Sequence, residues 1–525
     1  GKGWEHAVSY SLPPEETRNS MIPQFTGFLD KYWGRNGIHF HSEYIGAAVL
    51  VLAGLALGAW TLRSHKRIVW FFLGAFVISL LWAMGGYTPF YSLVYALVPG
   101  TKYFRAPSTM LFVVSFCAAV LAAFGSERIV RLENRRRYAI GWIIAAVLIG
   151  LLGASGALTN VGVSIAGAER ADYVMANDGA LRAGALRSML FILMAVGIAF
   201  VVSTRRVSRD LGGTLLILLV ALDCASVLRQ YWQFSEPAEI TYASNPVIDY
   251  LKKQPGPYRV LSFQTAPSDG VHDPLLNYDG LMVHGIANVL GYHGNELGAY
   301  DRLAGKDDGF RQVANPNFWR LLNMRYVLTN SPDNIGIKEL KQVAGPARDA
   351  SGSELYLHEI PFETSYAWVT PAMAKADEAS VMATVLDPRF DVRRATVFDN
   401  SAAVKVEPLT NLPEPLAIRA TVKDYSPGRA TIELDGPAPA GSALMVSENW
   451  YPGWTATIDG KPATIGKAAV SLMGIALPAG ARKVQLQFTN PPYETGKSVT
   501  LMALAAALLM LAGGTLLDRR RASSV

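Results

Sequence analysis

Charge and cysteine are both scarce in this sequence. Only 17% of its 525 residues are charged, against roughly 25% in an ordinary soluble domain, which disfavours a conventional cytosolic enzyme. Two cysteines, Cys117 and Cys224, are too few for a disulfide scaffold or a Cys-built zinc site. Familiar catalytic signatures are missing as well. There is no G-x-G-x-x-G, P-loop, H-E-x-x-H or G-x-S-x-G, which sets aside cofactor enzymes and hydrolases built on those templates. The formal charge of +6 would suggest a nucleic-acid partner only if the basic residues gathered on one surface.

What is abundant is apolar sequence, and it is concentrated. Tyr44–Leu62, Ile68–Gly86, Pro107–Gly125, Ala139–Ala157, Arg187–Thr204, Leu211–Leu228 and Ser498–Leu517 each approach the roughly 20 apolar residues that a helix needs to cross a bilayer. Within them only Asp223 and the edge residue Arg187 are charged. Both cysteines fall inside these spans, where they serve as small apolar residues. A further run, Phe90–Val98, is too short to span and stops at Pro99-Gly100, as a re-entrant or interfacial segment would.

The basic residues occupy alternate loops: Arg63, Lys66 and Arg67; Arg128, Arg131 and Arg135–Arg137; Arg205, Arg206 and Arg209; and the tail Arg519–Arg521. That alternation is a topology signal with these loops cytoplasmic, and it removes the case for nucleic acid. Residues 1–43 and the mildly acidic segment 229–497 then lie on the external, periplasmic side. Gly1 is not a start Met, and no signal-like stretch precedes the first span. The chain is therefore expected to continue a longer polytopic protein.

The expected fold is a polytopic α-helical membrane protein with an external α/β unit and a C-terminal β-sandwich before the last span. Residues 44–228 hold six spans. Residues 229–412 alternate helix and strand: Asn245–Lys253 then Tyr258–Phe263, Asn317–Asn323 then Met324–Thr329, and Ala379–Leu386. From 413 to 497 short strands with turn signals take over: Leu416–Asp424, Ala430–Leu434, Ala443–Glu448, Trp454–Ile458, Ala468–Leu477 and Val484–Phe488. Residues 498–525 are the last span and its basic tail.

Candidate functional groups stand in five places. Before the first span stand Glu15, Glu16, Asp30, His39, His41 and Glu43. Such groups at a membrane surface can act as general bases or hold a divalent cation, while Pro13-Pro14-Glu15-Glu16 also reads as a capped helix start. Lys102, Tyr103 and Arg105 lead into the third span, where they can hold a lipid phosphate or anchor the chain at headgroup level. The glycine-rich run Asp279–Tyr300 carries His284, Tyr292, His293 and Glu296, either facing a substrate or covering the α/β unit. Trp450, Tyr451 and Trp454 can stack on a sugar or fill a core. Asp223 is a functional candidate because an acid within a span is expensive. With so few polar groups in the spans, chemistry at the interface fits better than ion-coupled transport.

Four pieces carry a family resemblance: Ser11–Pro23 with Tyr32-Trp33-Gly34, Tyr103–Pro107 (YFRAP), Phe318–Thr329, and Asn449–Asp459 followed by Leu477–Gly480 and the final span. They resemble the YfhO-type bacterial membrane proteins, which are similar to GT-C-class glycosyltransferases. The resemblance implies transfer of a sugar from a polyprenyl-phosphate carrier to a cell-envelope acceptor outside the cytoplasm, at the bacterial inner membrane. It also implies that the principal catalytic acid lies upstream of these residues; Arg105 can still meet the carrier phosphate and Glu15 or Glu16 can line the site, but the resemblance carries over no role for them. A non-catalytic envelope-assembly scaffold and a lipid or polysaccharide exporter are the rival expectations.

Overall fold

The computed structural model describes residues 3–36, 42–57, 66–131, 135–265, 273–277, 279–294, 296–333, 337, 339–409 and 411–522. It forms two compact units, Gly1–Ser235 and Glu236–Val525.

The first unit is helical. Lys66–Ala83, Pro107–Arg128, Arg136–Ala154, Asp178–Ser203 and Arg209–Tyr231 are long and apolar enough to cross a membrane, and Pro491–Leu516 of the second unit is a sixth such helix. The first expected span is a helix over Ala47–Leu57; its residues 58–62 lie outside the described residues. Large apolar side chains point outward, among them Phe71, Phe112 and Ile217. A helix apolar on every face needs lipid rather than water around it. The chain is thus a multi-pass membrane protein. Inside the bundle small residues set the spacing. At Gly125 a side chain would overlap the Leu52 carbonyl, so the helices 47–57 and 111–128 can approach only because glycine is there.

Two helices exceed their expected limits. The fifth span begins at Asp178 rather than Arg187. Hydropathy misses its first turns because they are small and polar, yet Leu181 is buried with Phe25 and Trp33. The last helix runs over Pro491–Ala522. Phe90–Leu97 is a short helix, with Tyr91 and Val94 buried and Leu97 75% exposed.

Residues 3–36 cap one end of the bundle. Leu12 N–H donates to the Ala83 carbonyl (2.8 Å) and Ala106 N–H to that of Ser9 (2.9 Å). Asn177 Nδ2 donates to the Gln24 carbonyl (2.8 Å) and Ser188 Oγ to that of Met21 (2.6 Å). The N-terminal segment thus meets the connections that the alternating loops place on its own side.

Among the described residues the second unit carries sixteen strands: β1 (Arg259–Ser262), β2 (Ala287–Asn288), β3 (Met324–Thr329), β4 (Lys341–Arg348), β5 (Glu354–Glu359), β6 (Ala367–Thr370), β7 (Ala372–Ala376), β8 (Ala395–Asp399), β9 (Ala420–Ser426), β10 (Arg429–Leu434), β11 (Ala443–Asn449), β12 (Trp454–Ile458), β13 (Lys461–Ala463), β14 (Ile465–Ala468), β15 (Leu472–Ala476) and β16 (Lys483–Phe488). The first sheet has order β2-β1-β3-β5-β4, parallel through β3 and antiparallel beyond. The helix Pro246–Lys253 starts where the Asn245 side chain accepts from Val247 and Ile248 N–H, both at 3.0 Å. It buries Val247, Ile248 and Leu251 against Val260, Tyr326 and Leu357.

The sandwich pairs the sheets β13-β12-β16-β10-β9 and β6-β11-β15-β14-β8-β7, sharing a core that includes Ile432, Leu444, Ile475 and Leu486. Strands β6–β8 come from 367–399, so a division at 412/413 cuts through a sheet. Their partners are distant in sequence, which is why turn spacing does not reveal them. The stretch expected as one strand over Ala468–Leu477 is the β14–β15 hairpin. It turns at Ala469 (φ 44°) and Val470 (φ 68°), residues that announce no turn because neither favours a left-handed backbone.

Candidate functional site

The cap on the helical unit is built from its carboxylates outward. Pro14 opens a 3-10 turn over Pro14–Ser20 that places Glu15 and Glu16 in its first turn, both buried. Arg35 grips Glu15 with two bonds, Nε to Oε1 at 2.6 Å and Nη2 to Oε2 at 2.7 Å. This is the bidentate geometry that a guanidinium forms best. The Arg35 guanidinium lies over the Tyr87 ring, 4.8 Å from its centre, and its side chain is 52% exposed. Glu16 accepts from the Tyr32 hydroxyl, which in turn accepts from Asn36 N–H at 2.7 Å. Gly34 makes this possible, since a side chain there would overlap both Tyr32 and Glu16. Asn19 Nδ2 ties Thr26 (2.7 Å) to Glu43 (3.0 Å).

Burial pushes the Glu15 carboxyl up, but the bonds and charge of Arg35 outweigh it and leave it below its usual value. Burial, then the Glu16 charge, raises Tyr32. The Arg35 guanidinium is raised by Glu15.

Lys102 and Arg105 continue the same surface. Lys102 Nζ lies over Tyr95 at 5.5 Å, and the Arg105 guanidinium lies over Tyr10 at 5.3 Å. Between them Tyr103 and Phe104 are 69% and 71% exposed. The Ser9–Ala106 bond holds this loop to the cap, and Gly86 N–H donates to Ser11 Oγ at 3.1 Å, beside Tyr87. The cap and the loop at 85–107 thus bring Glu15, Glu16, Lys102, Tyr103 and Arg105 to one end of the bundle. Arg35, Tyr32 and Tyr87 join them. These three are not apparent in the sequence because they lie far from Glu15 and follow no local period; the only signal is Arg35 directly after Tyr32-Trp33-Gly34.

His39 and His41 lie outside the described residues. Among the described residues no three metal-ligating side chains come together. Glu15 is engaged by Arg35 and Glu16 by Tyr32.

Asp223 is not a lone acid. Fully buried, it accepts from Tyr44 Oη and Arg187 Nη2, both at 2.7 Å, and from Ala48 N–H at 2.9 Å. It joins three helices through these bonds and the ion pair with Arg187.

The remaining candidates belong to the second unit and divide between two places. His284 lines a cleft with Tyr258, Arg259 and Tyr425. Glu296 is ion-paired with Lys306, whose bond holds its carboxyl below the usual value, with His293 contributing. Tyr292 is 57% exposed. Trp450 and Trp454 pack against the sandwich core, and Tyr451 lies against Phe488.

Residues 414–500 match the family described as bacterial membrane protein YfhO. That stretch holds β9–β16 and the start of the last membrane helix. No curated protein and no solved structure matches the chain.

Proposed function

We propose that this membrane protein, with its YfhO segment, binds a polyprenyl-phosphate-linked sugar at the capped end of its helical unit. It then passes the sugar to a cell-envelope acceptor on the outer side of the cytoplasmic membrane. One observation carries the reading: Arg35, Lys102 and Arg105 are exposed cations, each held on a tyrosine ring, in segments bonded to one another. Cations fixed in this way meet a phosphate with less ordering cost than mobile ones. The exposed Tyr103, Phe104 and Leu97 beside them suit the bilayer interface from which a polyprenyl chain would enter.

The chemistry follows from that placement. The bond from the sugar anomeric carbon to the carrier phosphate oxygen breaks, a bond from that carbon to an acceptor hydroxyl oxygen forms, and the hydroxyl proton leaves to the surrounding water. Negative charge grows on the departing phosphate, where positioned guanidinium groups stabilise it. Glu15 holds Arg35 and Glu16 engages Tyr32, so both act as positioning residues. The outer side follows from the basic alternate loops at the other end.

A non-catalytic scaffold is the second reading, favoured because these buried carboxylates are engaged by protein groups. Protein in nanodiscs, given polyprenyl-phosphate hexose and envelope-polymer fragments, separates the two. Transfer that falls at least about tenfold in Arg35→Ala and Arg105→Ala, with insertion intact, supports the enzyme. Lipid binding by the wild type without any transfer supports the scaffold.

A further inference from the structure

The second unit contains a cleft of about 440 Å³, within the range of small-ligand sites. One wall is the end of the helix Pro246–Lys253 with Gln254 and Tyr258, the floor is Arg259, and Tyr366 and Tyr425 close the other side. The two sandwich tyrosines pack edge to face, with ring centres 5.3 Å apart. Tyr425 keeps 41% of its surface exposed.

Of the charges lining this cleft, Arg259 is matched by Glu448 and, among the described residues, Lys252 is not. Arg259 donates to the Leu322 carbonyl (2.8 Å), Ser447 Oγ (2.7 Å) and the Ser447 carbonyl (2.8 Å), and it lies 3.7 Å from Glu448. Glu448 also accepts from the hydroxyls of Tyr366 (3.2 Å) and Tyr425 (3.3 Å). Burial, and secondarily Lys252, holds His284 below its usual value, so its ring is neutral at neutral pH. Its Nε2 is buried without a hydrogen-bond partner among the described residues. Lys252 is an exposed cation at the rim.

A guanidinium and a carboxylate that are already paired, beside tyrosine faces, describe a site for a neutral, hydroxyl-rich ligand. A pyranose ring has that chemistry. Its C–H face leaves water by lying on Tyr425, and its hydroxyls both donate and accept, as the Gln254 amide requires. We propose that the cleft between Tyr258, His284 and Tyr425 is a saccharide-binding site for a short stretch of neutral glycan. It is separate from the proposed phosphate-binding end of the helical unit and does not depend on the transfer reading.

The test uses the full chain in nanodiscs, titrated with neutral glucose- and N-acetylglucosamine-based trisaccharides and, separately, with inorganic pyrophosphate. Saturable binding of a trisaccharide is expected. It should weaken about tenfold in Tyr425→Ala and clearly in His284→Ala. Tyr425→Phe, which keeps the ring face, should bind nearly as the wild type does, and this guards against a folding artefact. Arg35→Ala should leave trisaccharide binding unchanged even if it abolishes transfer. Absence of binding to every trisaccharide, equal binding by Tyr425→Ala and wild type, or binding of pyrophosphate alone would overturn the proposal.

Discussion

Glu15 and Arg35 share an ion pair of unequal halves, with the carboxylate side chain 4% exposed and the guanidinium 52%. Removing the acid's charge would leave Arg35 without its anchor while keeping the acid's shape. Because the folded Glu15 value is depressed, its stabilising contribution is complete above the ordinary carboxylate range. It is lost as pH falls through the lower folded value. Protection of the amides of residues 14–36, relative to intrinsic exchange, should therefore fall as pH drops below the ordinary carboxylate range, and Glu15→Gln should be poorly protected throughout and lose that step. Equal protection in acid and at neutral pH would count against the pair. Gly34→Ala should loosen the Tyr32–Glu16 contact by steric overlap alone, lowering the melting temperature by several degrees for a cost of roughly 1–3 kcal/mol. The two acids were legible from the Pro-Pro-Glu-Glu start, since local chemistry announces a helix turn. Arg35 was not, because the pairing depends on how residues 20–34 fold back.

Among the elements, the clamp of Asp223, Arg187 and Tyr44 joins the helices 178–203 and 209–228 to the start of 47–57. A buried charge stripped of its partner costs about 3–5 kcal/mol, whereas replacing both partners with apolar residues is often neutral. Asp223→Asn and Arg187→Met should each lower thermal stability in detergent, while Asp223→Leu with Arg187→Met should recover most of the loss. A double variant as unstable as the sum of the singles would show that the pair is not coupled. Asp223 stood out in the sequence as a charge among apolar residues. Its partner, 36 residues away, did not, because a hydropathy window sees a helix but not its neighbour. The sheets repeat the lesson: β9, β10, β12 and β16 alternate visibly, but β6–β8 gain meaning only from the strands they meet.

For the molecule as a whole, the spans were the most legible feature. A run of about 20 apolar residues is long enough to cross a bilayer and would be costly to leave in water, and the cap's contacts agree with the loop alternation. Single cysteines placed in the loops at 101–106 and 167–170 should react with an impermeant thiol reagent from one side of sealed vesicles. One placed at 205–208 should react only from the other; labelling of all three from one side would break the topology. The proposed phosphate-binding end was half legible: the sequence offered Lys102 and Arg105, while only the fold added Arg35 and the three tyrosines. Direct binding of polyprenyl phosphate to the intact protein in nanodiscs, followed by native mass spectrometry, tests that end most closely. The wild type is expected to hold the lipid, and Arg35→Ala combined with Lys102→Ala and Arg105→Ala to lose at least about tenfold in affinity; equal retention of lipid by the triple variant and the wild type would contradict it.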